Sequence, residues 1–434
     1  MKTTCGLMCL FFCLFFSCSK PTATQQLAGT ILGDSSLQVV DSMARAVIRS
    51  GFNAGSGYSQ IWARDMNTFI EIACEESNPK DLRNAILLFF ALQQPNDEMI
   101  DGYVLKEDFT WYDSTPYYAD AAPAHVAFKN TVETDQESSL IQIVGKYIRK
   151  TGDSSILADT VAGKTVLERM DLMIDYLLRE RYNEQYGLIY GAMTADWGDV
   201  QPNDDFGCDM NEHSVPAIDV YDNAMLIIAL DYLQEMAPAT EAIRVKRWKE
   251  LRTHLAEQVR THLWDAKRQK FIPHIYLATS PIPADFDELA IHYHGGTAIA
   301  IEAGLLTKEE IAVVNAQMLE NVRLSGMPSI GLTLYPVYPD GFFTGGMAQA
   351  YNYQNGGDWT WFGGRMIQQL AANGFVAEAY DEMRPMIDRV ILNKGFYEWY
   401  GKGGVPSGSG HFKGSAGVLA KAIEQLREWA EKNK

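Results

Sequence analysis

The chain lacks most of the features that advertise a site chemistry. It has six cysteines, and four of them (Cys5, Cys9, Cys13 and Cys18) lie in the first eighteen residues, leaving Cys74 and Cys208 for the remainder. Two cysteines on unrelated segments permit a disulfide outside the cytoplasm without demanding one, and no metal-type cysteine spacing occurs. Cys74 falls on the apolar face of a helical stretch, where burial as packing is expected. Net positive charge is missing as well. Thirty-seven Lys and Arg against fifty-five Asp and Glu leave −18, which argues against nucleic acid or an anionic membrane surface as a partner. There is no glycine-rich phosphate loop, no Gly-x-Ser-x-Gly elbow and no fixed-period repeat. No metal and no cofactor are therefore expected. No Ser/Pro/Gly linker or charge run divides the roughly 400 residues that follow the N-terminal stretch, although this exceeds the usual size of one domain. A hydrophobic content of 47% is ample for one large core.

The N-terminus reads as a targeting segment. Met1-Lys2 supplies a short positive region, and Leu7 to Phe16 is too short and too early to span a membrane. Phe15-Phe16-Ser17-Cys18-Ser19-Lys20 resembles a bacterial lipoprotein cleavage site, with a small residue before the cysteine. That resemblance implies removal of residues 1–17, acylation of Cys18 and a place on the cell envelope, with contact to a membrane through the lipid alone. An ordinary cleaved signal is the alternative, and with either the chain leaves the cytoplasm. Ser, Pro, Thr and Gln from Ser19 to Gln26 read as a tether. The tether is placed at residues 18–30, and a single domain at 31–434.

Beyond this, helical periodicity dominates. Apolar residues at three- and four-residue intervals predict helices over Ser36–Ser50, Arg64–Glu75, Pro79–Leu92, Glu133–Thr151, Val161–Arg181, Val220–Met236 and Thr240–Trp264. Further helices are predicted over Gly295–Ala303, Lys308–Glu320, Trp359–Asn373, Val376–Leu392 and Gly414–Lys432, with Lys270–Tyr276 the clearest strand-like piece. The connections alternate between short plain turns, such as Asn373-Gly374, and long loops rich in Trp, Tyr, Gly, Asp and His, such as Tyr182–Asp219 and Thr333–Asp358. Twelve helices with elaborate loops at alternate ends point to an all-α fold, an (α/α)6 toroid of six hairpins. An irregular helical solenoid is the alternative.

The long loops hold the candidate chemistry. In Met193-Thr-Ala-Asp-Trp-Gly-Asp199, Tyr190 and Trp197 offer flat faces for stacking on a sugar ring, and Asp196 is the candidate general acid with Asp199 as its rival. Such an acid needs its pKa raised by apolar surroundings or a neighbouring carboxylate. Gly395-Phe-Tyr-Glu-Trp-Tyr-Gly-Lys-Gly-Gly404 sets Glu398 among three aromatics, a poor setting for a solvated surface residue, and Tyr397 and His411 accompany it. Two carboxylates in one cleft are the minimum equipment for cleaving a glycosidic bond. Ser59-Gln-Ile-Trp62-Ala-Arg64-Asp65 could fix hydroxyls through a planar donor fork and a two-oxygen acceptor. Asp65 is equally a helix N-cap. Asp135 opens another helix, where an acid is favourable without any function. Tyr351-Asn-Tyr-Gln-Asn-Gly-Gly-Asp-Trp-Thr-Trp361 gathers amides (Gln354, Asn355), an acid (Asp358) and Trp359 and Trp361, one of which is expected to be core. His292 and His294 lack a third ligand and are expected to line a loop or the pocket rim.

Taken in order, these motifs resemble glycoside hydrolases of the six-hairpin helical barrel, especially the alkaline/neutral invertases (glycoside hydrolase family 100), with trehalases and processing α-glucosidases as relatives. Trp62-Ala-Arg-Asp65 is similar to that group's Trp-x-Arg-Asp segment, which lines the subsite of the reacting sugar. Tyr353-Gln-Asn-Gly-Gly-Asp-Trp359 resembles Tyr-His-Asn-Gly-Gly-x-Trp, and Glu398-Trp-Tyr-Gly-Lys resembles Glu-Tyr-Tyr-Asp-Gly-Lys, where the glutamate is the general base. Phe412-Lys-Gly-Ser-Ala-Gly-Val-Leu tracks the group's closing helix. The Asp196 region departs more: the invertases carry Ile-Asp-Arg-Arg there and the trehalases Ser-Gly-Trp-Asp. The resemblance implies an inverting hydrolase of an oligosaccharide or disaccharide with an α-glucosidic or sucrose-like linkage, Asp196 as acid and Glu398 as base. A glycan-binding lipoprotein without activity would use the same aromatics but needs no opposed acids. A polysaccharide lyase is the weaker alternative, since so acidic a chain is an indifferent host for polyanions.

Overall fold

The computed structural model describes residues 21–110, 115–202 and 208–434. The leader at 1–17 and Cys18 lie outside the described residues. Thirteen α-helices carry the architecture: α1 (Ala23–Gly33), α2 (Ser35–Ile48), α3 (Ala63–Glu76), α4 (Pro79–Ala91), α5 (Gln136–Thr151), α6 (Val166–Glu180), α7 (Val220–Met236), α8 (Ala242–His262), α9 (His294–Glu302), α10 (Lys308–Ser325), α11 (Thr360–Ala372), α12 (Val376–Asn393) and α13 (Lys413–Asn433). Twelve fall where the periodicity predicts them. The first corrects the tether. Thr22 closes a capping box with Gln25, and Ala28 and Ile31 of α1 are buried, with α13 against them. Satisfied end groups and a buried face turn a polar-looking segment into a helix.

Contacts between the helices follow a cycle. α3 packs on α5, α5 on α7, α7 on α9, α9 on α11, α11 on α13, and α13 returns to α3. The intervening helices lie outside these six, α8 on α7, α10 on α9 and α12 on α11. Sequence accounts for the two layers. α7 is apolar almost all round and buries every residue from Val220 to Leu230, whereas α8 buries only Trp248, Leu255 and Val259. A helix wrapped on all sides needs no polar face, and one at the surface needs a wide one.

The helix starts differ in much the same way, although α8 and α12 of the outer set also begin without a side-chain cap. Asp34, Asn78, Thr165 and Thr307 cap α2, α4, α6 and α10 with side-chain oxygens. Five of the six cyclic helices (α3, α5, α9, α11 and α13) begin at Trp62, Asp135, Tyr293, Trp359 and Phe412 with no side-chain cap. Their first N–H groups and the positive ends of their dipoles are left for other partners.

Strands are short and belong to the loops. Ile61–Trp62 pairs with Gly102–Leu105 at the edge of a four-stranded sheet. Tyr397–Tyr400 pairs with Pro406–Gly410, and the register shifts between Tyr397 and Trp399. The predicted strand at Lys270–Tyr276 is two pieces, Lys270–Phe271 and Ile275–Tyr276. Cys74 and Cys208 are both free thiols.

Candidate active site

At the end where the uncapped helices start, one pocket is lined by Tyr58, Trp62, Arg64, Asp65, Asp101, Trp197, Asp199, Tyr353, Gln354, Trp359, Trp361, Glu398 and Phe412. The carboxylates that face it are therefore Asp65, Asp101, Asp199 and Glu398.

Glu398 reaches the pocket from the irregular pairing beside Tyr397, where a shift of register re-aims a side chain. Its Oε1 accepts from the Tyr58 hydroxyl at 3.0 Å and its Oε2 from the Ser409 N–H at 2.8 Å. Gly408 makes this approach possible, since a Cβ there would lie 2.4 Å from Glu398 Oε2, at a backbone φ of +69°. Burial pushes the Glu398 pKa up, against these two donors.

Asp199 faces the same pocket from the turn at 194–200, which Thr194 Oγ1 closes by donating to Val200 O at 2.9 Å. Gln354 Nε2 donates to Asp199 Oδ1 at 3.1 Å, and Cys208 Sγ lies 3.9 Å from Oδ2. Asp196, the first candidate for the acid, is absent from the lining. Its carboxylate accepts from Gly295 N at 2.7 Å and Gly296 N at 2.8 Å, the uncapped start of α9. Burial pushes its pKa well up, opposed by those two N–H donors. Both oxygens are thus committed to a helix N-terminus, and Asp196 pins the turn that carries Asp199 rather than facing the pocket. The Gly-Gly of His294-Gly-Gly permits it, because Cβ atoms at Gly295 and Gly296 would lie 2.7 and 2.9 Å from the Asp196 oxygens.

On the floor, Arg64 Nε donates to Asp135 Oδ2 at 2.7 Å, and Arg64 also meets Glu133. Tyr221 donates to the same Asp135 oxygen at 2.7 Å. Asp135 is fully buried beneath the pocket, so its part is to hold Arg64. Asp65 keeps a buried Oδ1 with no hydrogen-bond partner, and burial raises its pKa to about 8. Asp101 is raised to about 6 by burial, against Arg64.

The wall is aromatic. Trp197 stacks on Phe362 with ring centroids 4.5 Å apart and meets Trp359 edge-on at 4.6 Å. Trp359 donates through Nε1 to Tyr353 O at 3.0 Å, while the buried Nε1 of Trp361 and of Trp197 have no partner. Trp359 and Trp361 are both buried in the main core, and both also line the pocket, so core and wall coincide here.

Other expected contacts lie elsewhere. Asp358 pairs with Arg389 at 2.7 Å and accepts from Ser329 Oγ at 2.7 Å. Asn355 exchanges hydrogen bonds with the backbone of Tyr338 at 2.9 and 3.1 Å. Both brace loops behind the pocket. Tyr397 and His411 are not in the lining, and His411 is exposed. His292 and His294 are buried at the start of α9 rather than on the rim, and burial lowers the His294 pKa to about 3. No cluster of His, Cys, Asp and Glu fit to hold a metal occurs among the described residues. Tyr58, Asp101, Tyr353 and Phe412 are the lining residues that sequence reasoning passed over. Phe412 and Tyr353 lie within the aromatic and closing-helix motifs, and Tyr58 adjoins Ser59–Asp65.

No family model matches the chain, and no curated protein matches it by sequence. Solved structures do match over most of its length. A GH63 mannosylglycerate hydrolase from Thermus thermophilus, in complex with Tris and D-glycerate, superposes with a TM-score of 0.61 at 15% identity, covering 88% of this chain and 99% of that one. A rhamnosidase from Klebsiella oxytoca with rhamnose bound gives 0.59 at 11% identity, over 90% and 64% of the two chains. A GH78 family rhamnosidase of a Bacillus species gives 0.59 at 14% identity, over 89% and 34%. The helical fold of this chain is thus one that glycoside hydrolases use.

Proposed function

We propose that the protein is an extracytoplasmic inverting glycoside hydrolase on an (α/α)6 toroid, with Asp199 as general acid and Glu398 as general base. The observation that carries it is the shared pocket. Two carboxylates held from separate loops, one by Gln354 and one by Tyr58 and Ser409, line a single aromatic-walled cavity. In the reaction, Glu398 takes a proton from water as the water oxygen bonds the anomeric carbon. The glycosidic C–O bond breaks, and the leaving oxygen takes the Asp199 proton. Inversion requires roughly 6.5–9.5 Å between the two carboxyl groups to admit that water. The cycle of six inner helices supports the toroid.

An α-glucosidic or sucrose-like bond is the proposed target, on the strength of the Trp62–Asp65, Tyr353–Trp359 and Glu398–Lys402 motifs. The T. thermophilus and K. oxytoca proteins of this fold, solved with glycerate and rhamnose, keep mannosyl and rhamnosyl linkages in the panel to be tried. Acylation of Cys18 would place the enzyme on the cell envelope. Hydrolysis of a glycan panel with the product anomer followed by NMR tests the reaction, and retention of configuration or binding without cleavage would defeat it. Radiolabelled palmitate incorporated by the wild type and lost in Cys18→Ala tests the anchor.

A further inference from the structure

Gln354 stands in an unusual position for a neutral side chain. It is 1% exposed, it lines the pocket, and its Nε2 donates to Asp199 Oδ1 at 3.1 Å while its Oε1 has no hydrogen-bond partner. The orientation of the amide follows from the network. Turned over, it would set an oxygen against a carboxylate oxygen and gain nothing for its NH2. Its backbone is held firmly as well, since Gly356 N donates to Gln354 O at 3.0 Å and the next residue, Asn355, is locked to Tyr338 on both sides of its amide. A buried amide oxygen without a donor is costly, and at a pocket wall the missing donor is naturally supplied by a ligand.

We infer that Gln354 is a positioning and specificity residue that couples recognition of the sugar to proton donation. Its Oε1 accepts a hydrogen bond from one hydroxyl of the ring in the pocket. Its Nε2 turns Asp199 toward the glycosidic oxygen, while Cys208 lies against the other carboxylate oxygen. An amide is suited to both tasks because it offers a donor and an acceptor on one rigid plane; a carboxylate lacks the first and an ammonium the second. A sugar without that hydroxyl would bind with the amide unsatisfied and the acid less firmly aimed. This inference rests on the assignment of Asp199 as the acid.

The test compares Gln354→Met, close in size but without the amide, and Gln354→Glu, which keeps an acceptor and loses the N–H. Substrates are the 4-nitrophenyl glycoside and the glycosyl fluoride of the sugar that the wild type cleaves best. Fluoride leaves without needing a proton. Both variants are expected to lose roughly 10–100-fold in kcat/KM on the aryl glycoside and much less on the fluoride. Titration with free hexoses and their deoxy analogues, read by tryptophan fluorescence, should show one hydroxyl whose removal weakens binding to the wild type roughly tenfold and to Gln354→Met hardly at all. Equal losses on both leaving groups would overturn the coupling. An Asp199→Asn protein with full activity on the aryl glycoside would overturn the acid assignment instead, a result distinct from failure of the Gln354 step.

Discussion

The two ends of the helical cycle make an instructive contrast. One is the pocket with Asp199 and Glu398. The other is a second cavity lined from all six inner helices: Thr68 and Glu71, Lys146 and Arg149, Tyr232, Glu302, Arg365 and Gln368, and Lys421 and Gln425. Aromatics and acids crowd the first, bases and amides the second. At the far end the polar groups are partnered, with Arg365 on Glu302 at 2.9 Å, Lys421 on Glu71 at 3.2 Å, and Lys146 donating to Asn67 O and Oδ1 at 2.9 and 2.8 Å. Gln425 Oε1 is the atom left over there, whereas the near end leaves Asp65 Oδ1, Gln354 Oε1, Trp197 Nε1 and Trp361 Nε1. Both ends are polar, so polarity does not distinguish them. Unspent hydrogen-bonding capacity does, and a chain tolerates it where a ligand supplies the missing partners. Helix polarity reinforces the contrast, since the uncapped N-termini face the acids.

The contrast breaks most severely at the near end. Asp199→Asn and Glu398→Gln are each expected to lower turnover by about three orders of magnitude or more while far-UV circular dichroism stays that of the wild type. Asp196→Ala should instead act mainly on stability. It strands two buried N–H groups at the start of α9, about 1–3 kcal/mol, so the thermal midpoint falls while turnover drops far less than in Asp199→Asn. Lys146→Met probes the far end. Burial lowers the Lys146 pKa to about 8 from an ordinary 10.5. Below pH 8 the lysine is charged in both folded and unfolded states and its desolvation cost is present in full. Between these values the unfolded chain holds the proton and the folded one does not, so stability rises with pH. Lys146→Met should remove on the order of 1 kcal/mol of that rise in urea titrations at pH 8 and 10, with turnover unchanged. Tyr58→Phe is the gentlest change. Loss of its hydroxyl from Glu398, already raised by burial, makes that carboxyl harder to ionise. The low-pH limb of kcat/KM should move up by about half a pH unit, for a few-fold loss at neutral pH.

Much of this was legible in the chain because the outer helices announce themselves. Three- and four-residue apolar spacing is a local signal that tertiary packing did not override, and the caps at Asn78, Thr165 and Thr307 agree with it. The place of Glu398 in the pocket was legible because aromatics and glycines have little reason to surround an acid otherwise. The choice between Asp196 and Asp199 was not. They sit on one turn three residues apart, and what separates them is the N-terminus of α9, about a hundred residues downstream in sequence. The same holds for Asp135, Asn355 and Asp358, whose partners Arg64, Tyr338 and Arg389 lie outside their own motifs. Local sequence carries residue type and period. The direction in which a carboxylate points is set by what arrives from elsewhere.

The seam of the helical cycle has a consequence for how the protein is made. Glu398 is anchored by Tyr58, 340 residues earlier, and Ser56 donates to Gly410 across 354. During synthesis, α3 through α11 must therefore wait with one flank open until α13 emerges to dock on α3. Partly built intermediates would expose apolar helix faces for much of translation, a long window in which to aggregate or engage chaperones. Asp199 and Glu398 come to share one pocket only when that seam shuts, so activity during refolding should appear with the slowest phase rather than with the early recovery of helix.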